Sequence, residues 1–267
     1  MRNPSAIGFY PGNKKELETF VKKLLNQKVE KIEAIAAIVP HAGYIYSGKT
    51  AGKVYSSIST DNKKFLIVCP NHTGFGNKIA LSTQNWLTPL GEVKINKEFV
   101  DKIPVDENAH LYEHSLEVQL PFLQVLFKNF ELIPLCLSHL EFNELKNLSK
   151  ILARKDIFYI ASSDFTHFGP NYGYLPFNFS PERNVEKVKE IDMKVIELIE
   201  KLQARKFYEF VEKENLTICG FVPITLILLI AKKLGAKKGK LIDYSTSFEV
   251  SRDLNFVSYA GILIKNK

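Results

Sequence analysis

Four short apolar runs of the chain each end beside a residue that can bind a metal or carry a proton. The residues that follow these runs are His41, His72, His139, and the pair Asp164 and His167. Neutral imidazole is the commonest protein ligand for zinc, iron and copper, and it transfers protons near neutral pH. Two histidines at equivalent positions, His41 and His72, therefore predict a metal-binding or catalytic site.

The runs themselves are typical of buried parallel strands. They cover residues 34–39, 65–68, 132–137 and 157–161, and helical stretches separate them. Continuous apolar runs of this length occur where helices cover both faces of a sheet. Sites in open parallel sheets form beyond the carboxyl ends of the strands, so these polar residues are expected along one edge.

The rest of the pattern predicts one domain over residues 1–267, a three-layer α/β/α sandwich with a mostly parallel or mixed sheet. Apolar residues at helical spacing predict helices over 14–25, 48–58, 119–128, 141–153, 185–202, 204–212 and 221–234. Closing strands are expected over 241–244 and 256–264. A hairpin is expected over 80–82 and 91–95 with its turn near Asn85, and the stretches 106–117 and 164–183 are predicted loops.

Composition excludes several classes of partner. The longest apolar stretch, residues 221–231, is too short to span a bilayer, and no apolar leader segment is visible, so no membrane partner is predicted. The net charge is +7, but the lysines are scattered and the densest cluster, at 232–240, has no interleaved aromatic residues. No nucleic-acid partner is therefore predicted. Three cysteines without a CxxC pair favour a reduced, cytoplasmic protein.

The segment after the fourth run carries a carboxylate and an imidazole three residues apart. Asp164 could hold the His167 ring in one tautomer, or both side chains could face a bound ligand. The alternative is that Asp164 caps a short turn. Ser162 and Ser163 lie beside them, but no G-x-S-x-G elbow supports a serine hydrolase.

Cys219 precedes an apolar helix, and a helix N-terminus favours the thiolate. This position suits both a nucleophile and a soft metal ligand, and a buried, inert cysteine is an equally good interpretation. Cys136 lies inside a predicted strand and is expected to be structural, whereas Cys69 stays ambiguous.

A second histidine cluster has the pattern H-x-x-E-H-x-x-E, formed by His110, Glu113, His114 and Glu117. Taken alone it is similar to an inverted zinc-protease motif, which requires a helix. Acidic residues and Asn108 precede it and Pro121 follows, so a loop that enters a helix is the better interpretation. The cluster is then expected to contribute contacts around the site.

Together these segments resemble the Memo family. The resemblance rests on Tyr10-Pro11, PHAGY-x-YSG at 40–48, Pro-Asn-His at 70–72, Pro-Leu-Gly at 89–91, EHSLEVQLPFL at 113–123, SSDFTHFG at 162–169, CG at 219–220 and Ser-Tyr-Ala at 258–260. It covers nearly the whole chain, and its long motifs are specific.

The resemblance implies a fold similar to class III extradiol dioxygenases, which are non-heme Fe(II) enzymes with two histidine ligands and one carboxylate. It maps the histidine ligands onto His41 and His72, the third ligand onto Cys219 and the catalytic base onto His167, with Asp164 in the same pocket. Further residues are predicted to line the pocket or stand behind the ligands: Tyr44, Asn71, His110, His114, Glu117 and Ser163. A thiolate in place of the carboxylate means that catechol cleavage does not carry over.

Three functions follow as hypotheses. The first is an oxidoreductase that uses Fe(II) or Cu(I), with zinc ranked behind them and no organic cofactor. The second is a non-catalytic binding protein that accepts a small molecule, a peptide or a partner protein. The third is a hydrolase with Cys219 as nucleophile. The resemblance also implies association with a radical SAM protein and an AMMECR-type protein.

Overall fold

The computed structural model describes residues 1–265 and has an α/β architecture. The α-helices are α1 Lys14–Leu25, α2 Tyr44–Ser57, α3 Asn108–Leu111, α4 Leu120–Leu126, α5 Phe142–Leu152, α6 Pro181–Glu200, α7 Ala204–Lys213, α8 Phe221–Lys233 and α9 Phe248–Ser251. The strands are β1 Ile32–Val39, β2 Ile58–Ser59, β3 Lys64–Pro70, β4 Ile79–Leu81, β5 Trp86–Thr88, β6 Gly91–Ile95, β7 Glu131–Leu137, β8 Ile157–Ser162, β9 His167–Phe168, β10 Lys238–Thr246 and β11 Phe256–Lys265.

One mixed sheet organises the molecule, with the strand order β10-β11-β1-β8-β3-β7-β6-β5. Its centre is parallel, because β1 and β3 both pair in parallel with β8, and β7 pairs in parallel with β3. The pairs of β11 with β1 and β10 are antiparallel. The carboxyl ends of β1, β8, β3 and β7 therefore share one edge.

Side chains of the central strands alternate between two cores, which explains the three layers. On β3, Leu66 and Val68 pack in the core beneath α5, α6, α7 and α8. Their neighbours Phe65, Ile67 and Cys69 pack in the opposite core beneath α1, α2 and α4. The predicted three-layer α/β sandwich is confirmed.

The predicted hairpin over 80–82 and 91–95 is wrong in its first strand and in its turn. The strand β4 pairs with β7, and the hairpin is formed by β5 and β6 around Pro89 and Leu90. Asn85 precedes β5, where its side-chain oxygen accepts a hydrogen bond from Ile95 N–H at 3.2 Å. Pairing of β5 with β6 places Trp86, the first residue of β5, in the core, where its ring is fully buried. The predicted loop 106–117 also contains α3, and the predicted loop 164–183 contains β9 and the start of α6.

Within residues 1–265, no helix combines the length and the apolar character that crossing a membrane requires.

A buried carboxylate joins α6 to the sheet and to the segment after β8. Asp192 accepts hydrogen bonds from the hydroxyls of Thr166 at 2.6 Å, Tyr244 at 2.7 Å and Ser258 at 2.5 Å. Thr166 immediately precedes His167, so this network fixes the backbone that presents His167. Burial raises the pKa of Asp192 to about 6, although the three hydroxyls act in the opposite direction.

This raised pKa predicts a pH-dependent contribution to stability. Between the unfolded value of 3.8 and about 6 the native carboxyl binds more protons than the unfolded one, so this contribution falls as pH rises through that window. An Asp192→Asn variant lacks the effect. We expect urea denaturation to show the stability of Asp192→Asn relative to wild type rising by about 2 kcal/mol between pH 4 and pH 7.

Asp61→Asn, at an exposed position, is the control and should show no such change. A stability difference between wild type and Asp192→Asn that is constant across this pH range would contradict the raised pKa.

Candidate metal centre

Three potential ligands meet at the shared carboxyl edge of the sheet. His41 follows β1, His72 follows β3, and Cys219 stands two residues before α8. His41 Nε2 lies 3.3 Å from Cys219 Sγ, and one donor atom from each of the three residues lies within 4.8 Å of the others. Tetrahedral ligands at ordinary metal–nitrogen and metal–sulfur bond lengths are about 3.6 Å apart, so the spacing fits one transition metal ion.

The tautomer of His41 follows from its hydrogen bonds. His41 Nδ1 lies 3.1 Å from Ser162 Oγ. The only hydroxyl proton of Ser162 goes to the Ser115 carbonyl at 2.6 Å, and Gln119 Nε2 donates to Ser162 Oγ at 2.8 Å. Ser162 Oγ must therefore accept from His41 Nδ1–H, and the lone pair of His41 Nε2 is left for a metal.

The carboxylate of Glu113 fixes the tautomer of His72. Glu113 accepts from His72 Nδ1 at 2.9 Å through one oxygen and from the His72 backbone N–H at 2.7 Å through the other. Ser115 adds bonds from its backbone N–H and its hydroxyl. Burial opposes ionisation of Glu113, but these bonds outweigh it and lower its pKa to about 2. The carboxylate is thus ionised, and its bond to Nδ1 leaves His72 Nε2 as the ring nitrogen available to a metal.

His114 and Glu113 form a second metal-like group with His72. A metal there is disfavoured, because the 2.9 Å between His72 Nδ1 and Glu113 has the length of a hydrogen bond and the same oxygen receives two bonds from Ser115. The His114 ring instead stacks between Phe9, at 4.1 Å between ring centroids, and His72, at 5.1 Å. His114 therefore lies at the site as a neighbour of the ligands.

Asp164 supports the His41 turn and does not orient His167. One Asp164 oxygen accepts the backbone N–H of His41 at 2.7 Å and of Ala42 at 3.2 Å. The other oxygen lies 3.9 Å from His41 Nε2. Burial raises the pKa of Asp164, while the nearby His167 and the two backbone bonds act to lower it.

Backbone carbonyls orient His167. Its Nδ1 lies 2.9 Å from the carbonyl oxygens of both Phe165 and Thr217. Carbonyls only accept, so Nδ1 carries a proton, and in the neutral ring Nε2 is the basic nitrogen. The ring is half-buried, with the edge of Tyr172 against it at 5.1 Å between centroids.

Burial disfavours a charged form of both His41 and Cys219. Desolvation, followed by the neighbouring His72 and His114, holds the pKa of His41 well below its usual value. Desolvation and the Asp164 carboxylate raise the pKa of the Cys219 thiol well above its usual value. Burial therefore favours a neutral His41 imidazole and a protonated Cys219 thiol, and a bound cation would favour the thiolate.

The start of α8 approaches the end of β8 too closely for any side chain. A Cβ atom on Gly220 would lie 2.4 Å from Ser163 Cβ and 2.8 Å from the Ser162 carbonyl oxygen. Ser163 Oγ accepts from Gly220 N–H at 3.1 Å and donates to the Asp164 carbonyl. Glycine after Cys219 thus brings the thiol up to the ligand-bearing strand ends.

Several predicted pocket residues have their polar atoms engaged elsewhere. The Tyr44 hydroxyl donates to the Val118 carbonyl in the core, and the Asn71 side chain bonds within its own turn, to Thr73, Gly74 and Phe75. His110 Nε2 bonds to the Ala80 carbonyl, and Glu117 pairs with Arg2. His139 is about half exposed beside Glu141 and Glu212, away from the ligands.

Sequence reasoning missed the groups that hold the imidazoles. The sequence predicts Glu113 only as one member of a cluster that contributes contacts around the site, and it does not single out Ser115 or Gln119. Their only signal is the polar character of residues 113–119 before an apolar helix. Ser162 is the last residue of β8, and nothing local indicates that its hydroxyl faces His41.

Comparisons with known proteins agree with this architecture. The family model described as Memo-like protein matches residues 2–263. A MEMO1 family protein of Archaeoglobus fulgidus is 38% identical over 99% of this chain and 100% of its own length. A MEMO1 family protein of Aquifex aeolicus is 38% identical over 98% of both chains, and one of Methanosarcina barkeri is 36% identical over 99% of this chain. The chain belongs to the Memo family.

Proposed function

We propose that His41, His72 and Cys219 bind one Fe(II) or Cu(I) ion and that the protein is an oxidoreductase built around it. The observation that carries the proposal is the convergence of His41 Nε2 and Cys219 Sγ at 3.3 Å, with the Nδ1 atoms of both histidines bonded on the far side of their rings. Imidazoles with fixed tautomers are the usual protein device for metal binding.

The donor set indicates which metals to test first. Two imidazole nitrogens and one thiolate suit copper and iron, and three ligands leave a position open for a substrate. Zinc accepts the same donors, so it ranks as the third candidate. When bound, a redox-active ion would supply electron transfer at that open position.

The protein's own residues provide proton transfer and orientation. In its neutral form the His167 ring can take a proton from a substrate at Nε2, while the carbonyls of Phe165 and Thr217 keep the ring in place. Asp164 holds the backbone of residues 41–42 and so keeps the His41 ring at the metal position. Tyr172 covers one side of the His167 ring.

The thiol-hydrolase alternative is less well supported. A nucleophilic cysteine needs a lowered pKa, but burial and Asp164 raise the pKa of Cys219. The contact between Cys219 and His41 fits two ligands of one metal ion better than it fits a nucleophile and its base.

The first test is metal content after anaerobic purification and loading with Fe(II) or Cu(I). We expect one equivalent in wild type and loss of most of it in Cys219→Ala, because a three-ligand site that loses its thiolate keeps only two neutral donors. Cys136→Ala is the matched control, since Cys136 is a buried thiol in β7 outside the group of ligands.

Elemental analysis of the three proteins gives the answer. Equal metal in wild type and Cys219→Ala, or no metal in wild type after loading with each ion, would contradict the proposal. The second of these results would favour a non-catalytic binding protein.

A second test concerns the carboxylate behind His72. We expect Glu113→Ala to weaken metal affinity by roughly 10- to 100-fold, because the His72 Nδ1 proton loses its acceptor and the ring loses its fixed orientation. Glu113→Gln keeps a neutral hydrogen-bond acceptor, so its metal affinity should lie between those of Glu113→Ala and wild type.

Competition with a chelator measures these affinities. Glu107→Gln is the control, because the Glu107 carboxylate also accepts hydroxyl and backbone bonds, but from Ser82 and Thr83 and not from a histidine. Unchanged affinity in Glu113→Ala would show that the carboxylate does not support the centre.

A further inference from the structure

We infer that the first ten residues support the metal centre, with Arg2 as a positioning residue that holds the segment bearing Glu113 and His114 against His72. This inference rests on the proposed function of the same site. It concerns residues 1–10, which we name the N-terminal arm.

Arg2 is a nearly fully buried cation whose guanidinium group is bonded on all sides. Its Nε donates to the His110 carbonyl at 2.7 Å and its Nη2 to the Glu113 carbonyl at 2.8 Å. Its Nη1 pairs with Glu117 at 2.5 Å, and its face lies 3.9 Å from the Trp86 ring centroid. One side chain therefore fixes three positions of the segment 110–117.

Glu117 extends this connection along the arm. Its carboxylate accepts from the backbone N–H groups of Ser5 at 2.9 Å and Ala6 at 3.0 Å, and from the Tyr10 hydroxyl. The Arg2–Glu117 pair thus holds the whole arm against the segment. Both side chains are at most 3% exposed, so water does not compete for these bonds.

The far end of the arm reaches the candidate site itself. Phe9 stacks on His114, and its carbonyl accepts the backbone N–H of Tyr44 at 2.8 Å, three residues after His41. Gly8 makes the tight turn with a φ of +108°, a conformation that other residues rarely adopt. The arm therefore contacts both the His41 turn and the segment that orients His72.

Arg2 contributes more here than a buried ion pair usually does. The desolvation cost of two charges often cancels their attraction, so such a pair is weak evidence for stability. The guanidinium also fixes the geometry of the segment, because its planar donors bind the carbonyls of His110 and Glu113 at the same time. The position of the Glu113 carboxylate relative to His72 depends on that geometry.

The test uses Arg2→Met in the full chain with any affinity tag at the C-terminus. Metal affinity should fall by about tenfold. Removing a group that hydrogen-bonds a metal ligand costs roughly 10- to 100-fold in affinity, and the lower value is expected because Arg2 acts indirectly, through Glu113. The proton NMR signal of His72 Nδ1–H should shift towards the position of a weaker hydrogen bond. Arg2→Lys keeps the charge but not the planar donors, and should not restore affinity.

Two further variants separate positioning from general destabilisation. Leu152→Ala creates a cavity at the end of α5, on a side chain remote from the ligands, and should leave metal affinity unchanged despite lost stability. Phe9→Ala removes the stack on His114 while Arg2 and Glu117 stay paired, and it should weaken affinity even where Arg2→Met does not fold.

The outcomes distinguish this inference from the proposed function. Wild-type affinity in both Arg2→Met and Phe9→Ala, or an equal loss in Leu152→Ala, would overturn the role of the arm. A wild-type chain that binds no metal would overturn the proposed function instead. In that case an unshifted His72 Nδ1–H signal in Arg2→Met would overturn the arm's role, and a shifted signal would support it.

Discussion

The candidate centre depends on which groups accept the hydrogen bonds from the Nδ1 atoms of two imidazole rings. His41 donates to a serine hydroxyl whose own proton is committed to a carbonyl, and His72 donates to an ionised carboxylate. Each commitment leaves an Nε2 lone pair directed at the Cys219 thiol or its surroundings. Burial disfavours both a charged His41 imidazole and a free Cys219 thiolate. A bound cation would therefore be needed to stabilise the thiolate.

The fold supplies these partners from distant parts of the chain. Parallel strands bring residues 41, 72 and 164 to one edge, and the close approach of Gly220 to Ser163 adds Cys219. The segment 110–117 crosses this edge and contributes Glu113 and His114. The N-terminal arm then lies on that segment, so the support of the ligands extends from the sheet to residues 1–10.

Much of this could be predicted from the sequence, and the limits have physical reasons. Apolar runs of four to six residues predicted the central strands, and the strand-end rule brought His41, His72 and Asp164 together because parallel strands share an edge. The hairpin failed because β4 pairs with β7, a contact between segments more than fifty residues apart. Ser115 and Arg2 carry no local pattern, and the H-x-x-E-H pattern around Glu113 does not show that its carboxylate faces His72, since that contact forms only on folding.

The most direct measurement of the central claim is X-ray absorption spectroscopy of the protein loaded anaerobically with Fe(II) or Cu(I). A centre formed by His41, His72 and Cys219 predicts one sulfur scatterer and two imidazole nitrogens bound to the ion. A metal environment of oxygen and nitrogen alone, without sulfur, would place the ion away from Cys219 and would contradict a centre formed by His41, His72 and Cys219.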